Sequence, residues 1–206
     1  MQNPINEIIS NKIISVIRAE TPLEAIEKAT AMINGGLRVF EITVENGAIL
    51  PAITELRKNN NVTVMAGGII TSEKAGKAIE YGAQAIISPV LQGSLRKYCL
   101  SKRIAHIATV STPNEAYTAW KSRIPLIKIF PAKPMGQVEY IEDMLRPMSF
   151  LKLIPTGGIS LDDYIDYLKV GATAVGLGRC LYKDATLKEI TERTKYAVSK
   201  LEELSE

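Results

Sequence analysis

The sequence predicts a closed (β/α)8 barrel of the TIM type, one domain over residues 1–206 with a short helix ahead of the first strand, and three observations carry that prediction. Short β-branched runs alternate with helix-like stretches eight times along the chain, the pattern of a parallel sheet wrapped in helices. Three helix-to-strand junctions repeat one form: Gly35-Gly36-Leu37-Arg38-Val39, Gly82-Ala83-Gln84-Ala85-Ile86 and Gly171-Ala172-Thr173-Ala174-Val175. Gly35 to Gly82 is 47 residues and Gly82 to Gly171 is 89, two and four units of about 23 residues, so these glycines precede strands two, four and eight. Eight units in so short a chain leave no edge strand to be covered, which favours closure over the competing open, doubly wound sheet.

In chain order, a helix is expected at Pro4 to Asn11 and a strand at Ile13 to Ile17. Thr21-Pro22-Leu23-Glu24 then opens a helix with a capping threonine, a proline in the first turn and a glutamate three residues after the cap. The next units are a strand Val39 to Val44, a helix around Ala48 to Lys58, a strand Val62 to Ala66, a helix Ser72 to Glu80 and a strand Ala85 to Ser88. A helix Gly93 to Ser101 leads to a strand Ala105 to Val110, and Thr112-Pro113-Asn114-Glu115 repeats the earlier cap. The sixth strand lies in Ile124 to Pro131. A helix near Val138 to Leu145, a strand Leu151 to Ile154, a helix Ser160 to Leu168, a strand Ala174 to Leu177 and a long helix from Leu187 complete the pattern.

Composition narrows the function. With 46% hydrophobic residues and no polar linker, one large core is expected. No apolar run approaches the length of a membrane span, and Met1 to Lys12 lacks the pattern of a signal peptide, so a cytoplasmic protein is expected. Cys99, Cys180 and the lone His106 sit in no metal-ligand spacing, so no metal or cofactor is called for. The net charge of +3 is scattered, without a basic block; this suits small anionic substrates and does not point to nucleic acid.

Chemistry is expected at the carboxyl ends of the strands. Lys128 lies inside the apolar run Ile-Pro-Leu-Ile-Lys-Ile-Phe-Pro, where desolvation disfavours an ammonium and an amine that gives up its proton attacks carbonyl carbon. Strand alternation turns Ile127 and Ile129 to the helices and Lys128 to the lumen; likewise Phe40, Ile42 and Val44 face helices while Glu41 and Thr43 face inward. The competing reading of the pair is a buried ion pair with no catalytic part. Glu45 shares the parity of Glu41 but lies further along, at the mouth. Strand seven runs into Pro155-Thr156-Gly157-Gly158-Ile159-Ser160 and strand eight into Gly176-Leu177-Gly178-Arg179. These are neighbouring loops at the place where phosphate binds in this architecture. Ser160 is read as a helix cap.

Together, Glu-Ile-Thr at Glu41 to Thr43, Ile-Ser-Pro at Ile87 to Pro89, Lys-x-Phe-Pro-Ala at Lys128 to Ala132 and the loop Pro155 to Ser160 resemble the 2-keto-3-deoxy-6-phosphogluconate (KDPG) aldolase family, which includes the 4-hydroxy-2-oxoglutarate (KHG) aldolases. The resemblance spans nearly the whole chain. It implies a metal-independent class I aldolase, usually a homotrimer, that releases pyruvate and an aldehyde (glyceraldehyde 3-phosphate or glyoxylate) from a 2-keto acid. Lys128 matches the imine-forming lysine and Glu41 the proton-transferring glutamate. Arg18, Thr43, Gly67, Gly68, Pro89 and Phe130 fall at substrate-binding positions, and Thr156, Gly157, Gly158, Gly178 and Arg179 at phosphate-binding ones. Three positions depart from the family pattern: Glu45 stands where many members carry a carboxylate-gripping arginine, Gly68 where a threonine is usual, and Arg179 where a serine is usual. Carboxylate capture is then expected from Arg18 or from the Gly67 and Gly68 amides. Oxaloacetate decarboxylation through the same imine, a phosphosugar isomerase or synthase with Lys128 purely electrostatic, and a non-catalytic phosphosugar-binding barrel are the competing readings.

Overall fold

The computed structural model describes residues 3–204, so Met1 and Gln2 of the leader reading lie outside the described residues. The chain runs α1 (Pro4–Asn11), β1 (Ile13–Ile17), α2 (Pro22–Asn34), β2 (Val39–Thr43), a 3-10 turn (Gly47–Ile49), α3 (Leu50–Leu56), β3 (Thr63–Gly67), α4 (Ser72–Glu80), β4 (Ala85–Ser88) and α5 (Gly93–Ser101). It continues with β5 (Ala105–Val110), α6 (Pro113–Lys121), β6 (Ile127–Ile129), α7 (Gln137–Leu145), β7 (Leu153–Pro155), α8 (Tyr164–Lys169), β8 (Val175–Leu177), α9 (Arg179–Tyr182) and α10 (Leu187–Glu203). The eight strands pair in parallel in the order β7-β6-β5-β4-β3-β2-β1-β8. A bridge between Thr156 and Gly176, just past β7, and the bond from Thr173 N–H to the Leu153 carbonyl (2.9 Å) bring the two ends together. The barrel closes.

Two apolar layers follow from strand alternation. Phe40, Ile42, Ile127, Ile129, Ala108 and Val110 pack outward against the helices. Ile14, Val39, Met65, Ile87, Ile107, Leu126 and Ile154 fill the lumen below the site. Amphipathic α1 lays the buried Ile8, with Ile5 and Ile9 beside it, against that inner layer and plugs the floor. The helix starts obey local chemistry: Thr112 and Glu115 form a full capping box on α6, and Thr186 and Glu189 another on α10. At α2 the Thr21 hydroxyl accepts from Glu24 N–H, while the Glu24 carboxylate reaches one residue further back, to Glu20 N–H.

The repeated glycine junctions are one structural device. Gly36, Gly82 and Gly171 have φ of +106°, +96° and +103°. After each, the following N–H turns back to a carbonyl five residues earlier, as in Ala83 to Ala78 and Ala172 to Tyr167. The seventh strand, expected at Leu151 to Ile154, starts two residues later at Leu153, and two expected helices differ. Helix α8 begins at Tyr164 and not at Ser160: the Ser160 hydroxyl accepts from the Asp162 and Asp163 amides, and the Asp163 carboxylate accepts from Ser160 N–H at 2.7 Å. Two consecutive aspartates favour such local bonding over helix. The expected helix around Ala48 to Lys58 splits into the 3-10 turn and α3, with Pro51 in the first turn of α3. Among the described residues no helix is long and apolar enough to cross a membrane.

Candidate active site

Lys128 and Glu41 come from β6 and β2, on opposite sides of the barrel, and meet in the lumen. The Lys128 Nζ stands 3.0 Å from Glu41 Oε1 and 2.7 Å from Oε2, with side chains only 10% and 5% exposed. The expected lumen placement of both is met. Room for the pair is made by Gly67 at the end of β3: a Cβ there would lie 2.3 Å from Glu41 Oε1. Gly67 therefore packs against Glu41, while the adjacent Gly68 faces the cavity.

The mouth is divided into two chambers with Arg18, Lys128 and Phe130 on the partition. The smaller, about 90 Å³, lies over the β2–β6 half and is lined also by Glu41, Thr43, Gly68, Ile87, Ser88, Pro89 and Thr109. The Thr43 hydroxyl is buried there without a hydrogen-bond partner. Behind its wall, Ser88 donates to the Val90 carbonyl (2.7 Å), so His106 Nε2, 2.8 Å away, is the donor to Ser88 Oγ. Burial, aided by the charge of Arg96, pushes the His106 pKa down to about 4, which keeps this imidazole neutral near pH 7. His106 is a structural support of the chamber wall.

The larger chamber, about 570 Å³, lies over the β6–β1 half, where Thr156, Gly157, Gly158, Gly178 and Arg179 gather beside Val16 and Tyr182. Gly157 and Gly158 have φ of +99° and +85°, and a Cβ on either would come within 2.7 Å of Phe130 or 2.6 Å of Lys133. The carbonyls of Thr156 and Gly157 accept from Ala132 and Lys133 N–H, and the Thr156–Gly176 bridge engages the Gly157 amide, whereas the Gly158 amide bonds to none of the described residues. A free amide beside an arginine favours an anion. Gly176 admits the Thr156 hydroxyl, which a Cβ there would meet at 2.2 Å.

At the rim, an Arg18 Nη1 hydrogen bond joins the guanidinium to the Glu45 carboxylate, with both side chains more than half exposed. The backbone of Arg18 is also held: Lys28 Nζ donates to its carbonyl (3.1 Å), and its N–H donates to the Tyr182 hydroxyl (3.3 Å). Lys28 in turn sits 4.5 Å from the Tyr182 ring centroid, within cation–π range. Sequence reasoning missed Lys28, Tyr182 and Thr109. For Thr109 a signal existed, since alternation along β5 turns Ile107 inward and hence Thr109 with it.

Comparison with known proteins adds lineage to this geometry. A family model described as KDPG and KHG aldolase matches residues 5–197. A 2-dehydro-3-deoxy-phosphogluconate aldolase of Treponema pallidum is 30% identical over 158 residues, covering 76% of this chain and 75% of that one. A KHG/KDPG aldolase of Escherichia coli K12 is 31% identical over 162 residues, 78% of this chain and 76% of that one. Among solved structures, a KDPG aldolase of Legionella pneumophila, described with pyruvate captured at low pH as a covalent carbinolamine intermediate, superposes with a TM-score of 0.86 at 24% identity, covering 95% of this chain and 98% of that one.

Proposed function

The chain belongs to the KDPG and KHG aldolase family, and from that premise we propose that it is a class I aldolase cleaving 2-keto-3-deoxy-6-phosphogluconate, 4-hydroxy-2-oxoglutarate or both into pyruvate and an aldehyde. The observation that carries this reading is the Lys128 nitrogen held against both Glu41 oxygens on the partition between the chambers. Glu41 is placed to take a proton from the ammonium, freeing the lone pair to attack the C2 ketone. Glu41 returns that proton to the carbinolamine hydroxyl, which leaves as water, so that a protonated imine stands beside a carboxylate ready to act as base again. That cation draws in the electrons of the C3–C4 bond as the C4 hydroxyl passes its proton to Glu41. The aldehyde departs, the enamine is protonated at C3, and water hydrolyses the imine to pyruvate and free lysine.

The pyruvyl carbons fit the small chamber and the phosphorylated end the large one, where Thr156, Gly157, Gly158, Gly178 and Arg179 offer amides and a guanidinium. The 2-keto-3-deoxy-6-phosphogluconate skeleton uses both chambers, and 4-hydroxy-2-oxoglutarate a shorter part of the second. A single-domain, cytoplasmic homotrimer belongs to the same proposal, with an expected mass in light scattering of three times 22.6 kDa. The test is pyruvate release over a panel of phosphorylated and unphosphorylated 2-keto acids with oxaloacetate included, beside borohydride reduction with pyruvate. Trapping of a secondary amine at Lys128 and turnover of a phosphorylated acid are expected. Turnover confined to oxaloacetate would replace the aldolase with a decarboxylase, turnover that resists borohydride would favour an isomerase or synthase, and no labelling with any acid would end the imine reading.

A further inference from the structure

The 90 Å³ chamber must take the substrate's C1 carboxylate, yet its most obvious cation is already engaged. Arg18 is tied to Glu45 at the rim, and Lys128 faces Glu41. What remains inside is a set of neutral donors. Thr43 and Thr109 are each 7% exposed, both line the chamber, the Thr43 hydroxyl is unpartnered and the Thr109 hydroxyl bonds to none of the described residues. Thr109 pairs in register with Lys128 on the neighbouring strand, so its side chain emerges beside the amine on the same face of the sheet. Gly68, across the chamber on the β3 end, has φ of +76° and leaves backbone open to the cavity.

We propose that Thr109, with Thr43, is a specificity-determining residue of this chain: the two hydroxyls hold the C1 carboxylate beside Lys128 and replace a guanidinium in that task. The buried Thr43 hydroxyl, without a partner, carries a desolvation cost that a ligand oxygen relieves, and Thr109 adds a donor that faces the cavity. Both hydroxyls are acceptors as well as donors, so a hydroxyl clamp tolerates the adjacent Glu41 carboxylate and holds a carboxylate less tightly than an arginine fork.

This inference rests on the proposed imine reaction for its kinetic consequence, and the test separates the two. Oxalate carries the carboxylate pair but no ketone, so its binding by titration calorimetry reports on the clamp alone. Borohydride labelling as a function of pyruvate concentration reports on clamp and imine together. Thr109→Val, which removes the hydroxyl at nearly constant shape, is expected to weaken oxalate binding and raise the half-saturating pyruvate concentration by about tenfold, with Thr109→Ser restoring both. Labelling by hydroxyacetone, a ketone without a carboxylate, is expected to be unchanged in Thr109→Val. Wild-type protein that binds no oxalate, or Thr109→Val with wild-type oxalate binding, would overturn the clamp. Equal loss with hydroxyacetone and pyruvate would overturn it too, by assigning Thr109 to the amine. Normal oxalate binding that Thr109→Val weakens, in a protein that forms no imine, would keep the clamp and remove the aldolase reading.

Discussion

The two halves of the barrel mouth handle negative charge in different ways. Over β2 to β6 the lining is side chains: two threonine hydroxyls, a carboxylate and an amine in about 90 Å³. Over β7, β8 and β1, Gly157, Gly158, Gly176 and Gly178 expose backbone among side chains that include Thr156, Arg179 and Tyr182, and the space is about 570 Å³. Side chains on a closed sheet are fixed by strand parity, which suits a reacting centre that must be held to within fractions of an ångström. Glycine amides in loops present a diffuse positive field that accepts an anion without prescribing its surroundings. The difference teaches that chemistry and substrate breadth are built from separate materials, and that each can be altered alone.

The largest effect is expected where the halves meet. Lys128→Ala is expected to lower turnover of every substrate by at least about 10³-fold and to abolish borohydride labelling, since the covalent route is gone. It is also expected to destabilise the protein by about 3–5 kcal/mol in urea melts, because Glu41 is left buried without its counter-charge. Adding Glu41→Gln is expected to recover most of that loss without activity. Equal stability of Lys128→Ala and wild type would break the picture of a desolvated pair.

Next comes acid, which acts on the side-chain half. His106 titrates near 4 in the folded protein and near 6.5 in the unfolded chain. Below about pH 6.5 the unfolded state takes up a proton that the folded state refuses, so stability falls with pH until both are protonated near pH 4. The span is about 3 kcal/mol, and comparing urea midpoints of wild type and His106→Gln at pH 7 and 4.5 isolates it. An identical pH slope in the two proteins would sink the assignment.

Gly158→Ala addresses the backbone half. Its added methyl has to occupy φ +85° against Lys133, and the loop is expected to shift, raising KM for phosphorylated acids by about tenfold. Pyruvate labelling should hold within about twofold. If both move together, the chambers are not separable. The smallest effect is at the rim: Glu45→Gln releases Arg18 toward the large chamber and is expected to lower KM for phosphorylated acids by up to about fivefold, the scale of an exposed ion pair. That gain should fade at high salt.

Periodicity and turn chemistry made the barrel legible. Alternation on Val39-Phe40-Glu41-Ile42-Thr43 and on Ile127-Lys128-Ile129 was enough to turn Glu41 and Lys128 inward, because a buried strand has only two faces. The glycine junctions were legible because φ near +100° strongly selects glycine. The same helix stop recurs at Arg103 and Arg123, with φ of 55° and 57°, where Ile104 and Ile124 N–H reach the Cys99 and Ala119 carbonyls. No glycine marks those turns: both arginines are exposed, and the back-turned bonds of Ile104 and Ile124 hold them in a conformation their own preference resists. The Arg18–Glu45 bond was equally hidden: which way two long rim side chains reach is a matter of rotamer and not of strand parity. Lys28 and Tyr182 act on Arg18 from α2 and from the short helix α9, and α9 is too brief to leave a periodic signal.

The helix that stoppers the lower end has a last consequence for traffic. With Ile8 seated against the inner apolar layer, the described residues leave the lysine one doorway: the keto acid enters, the aldehyde and pyruvate exit, and the water that frees the lysine arrives, all by the same opening.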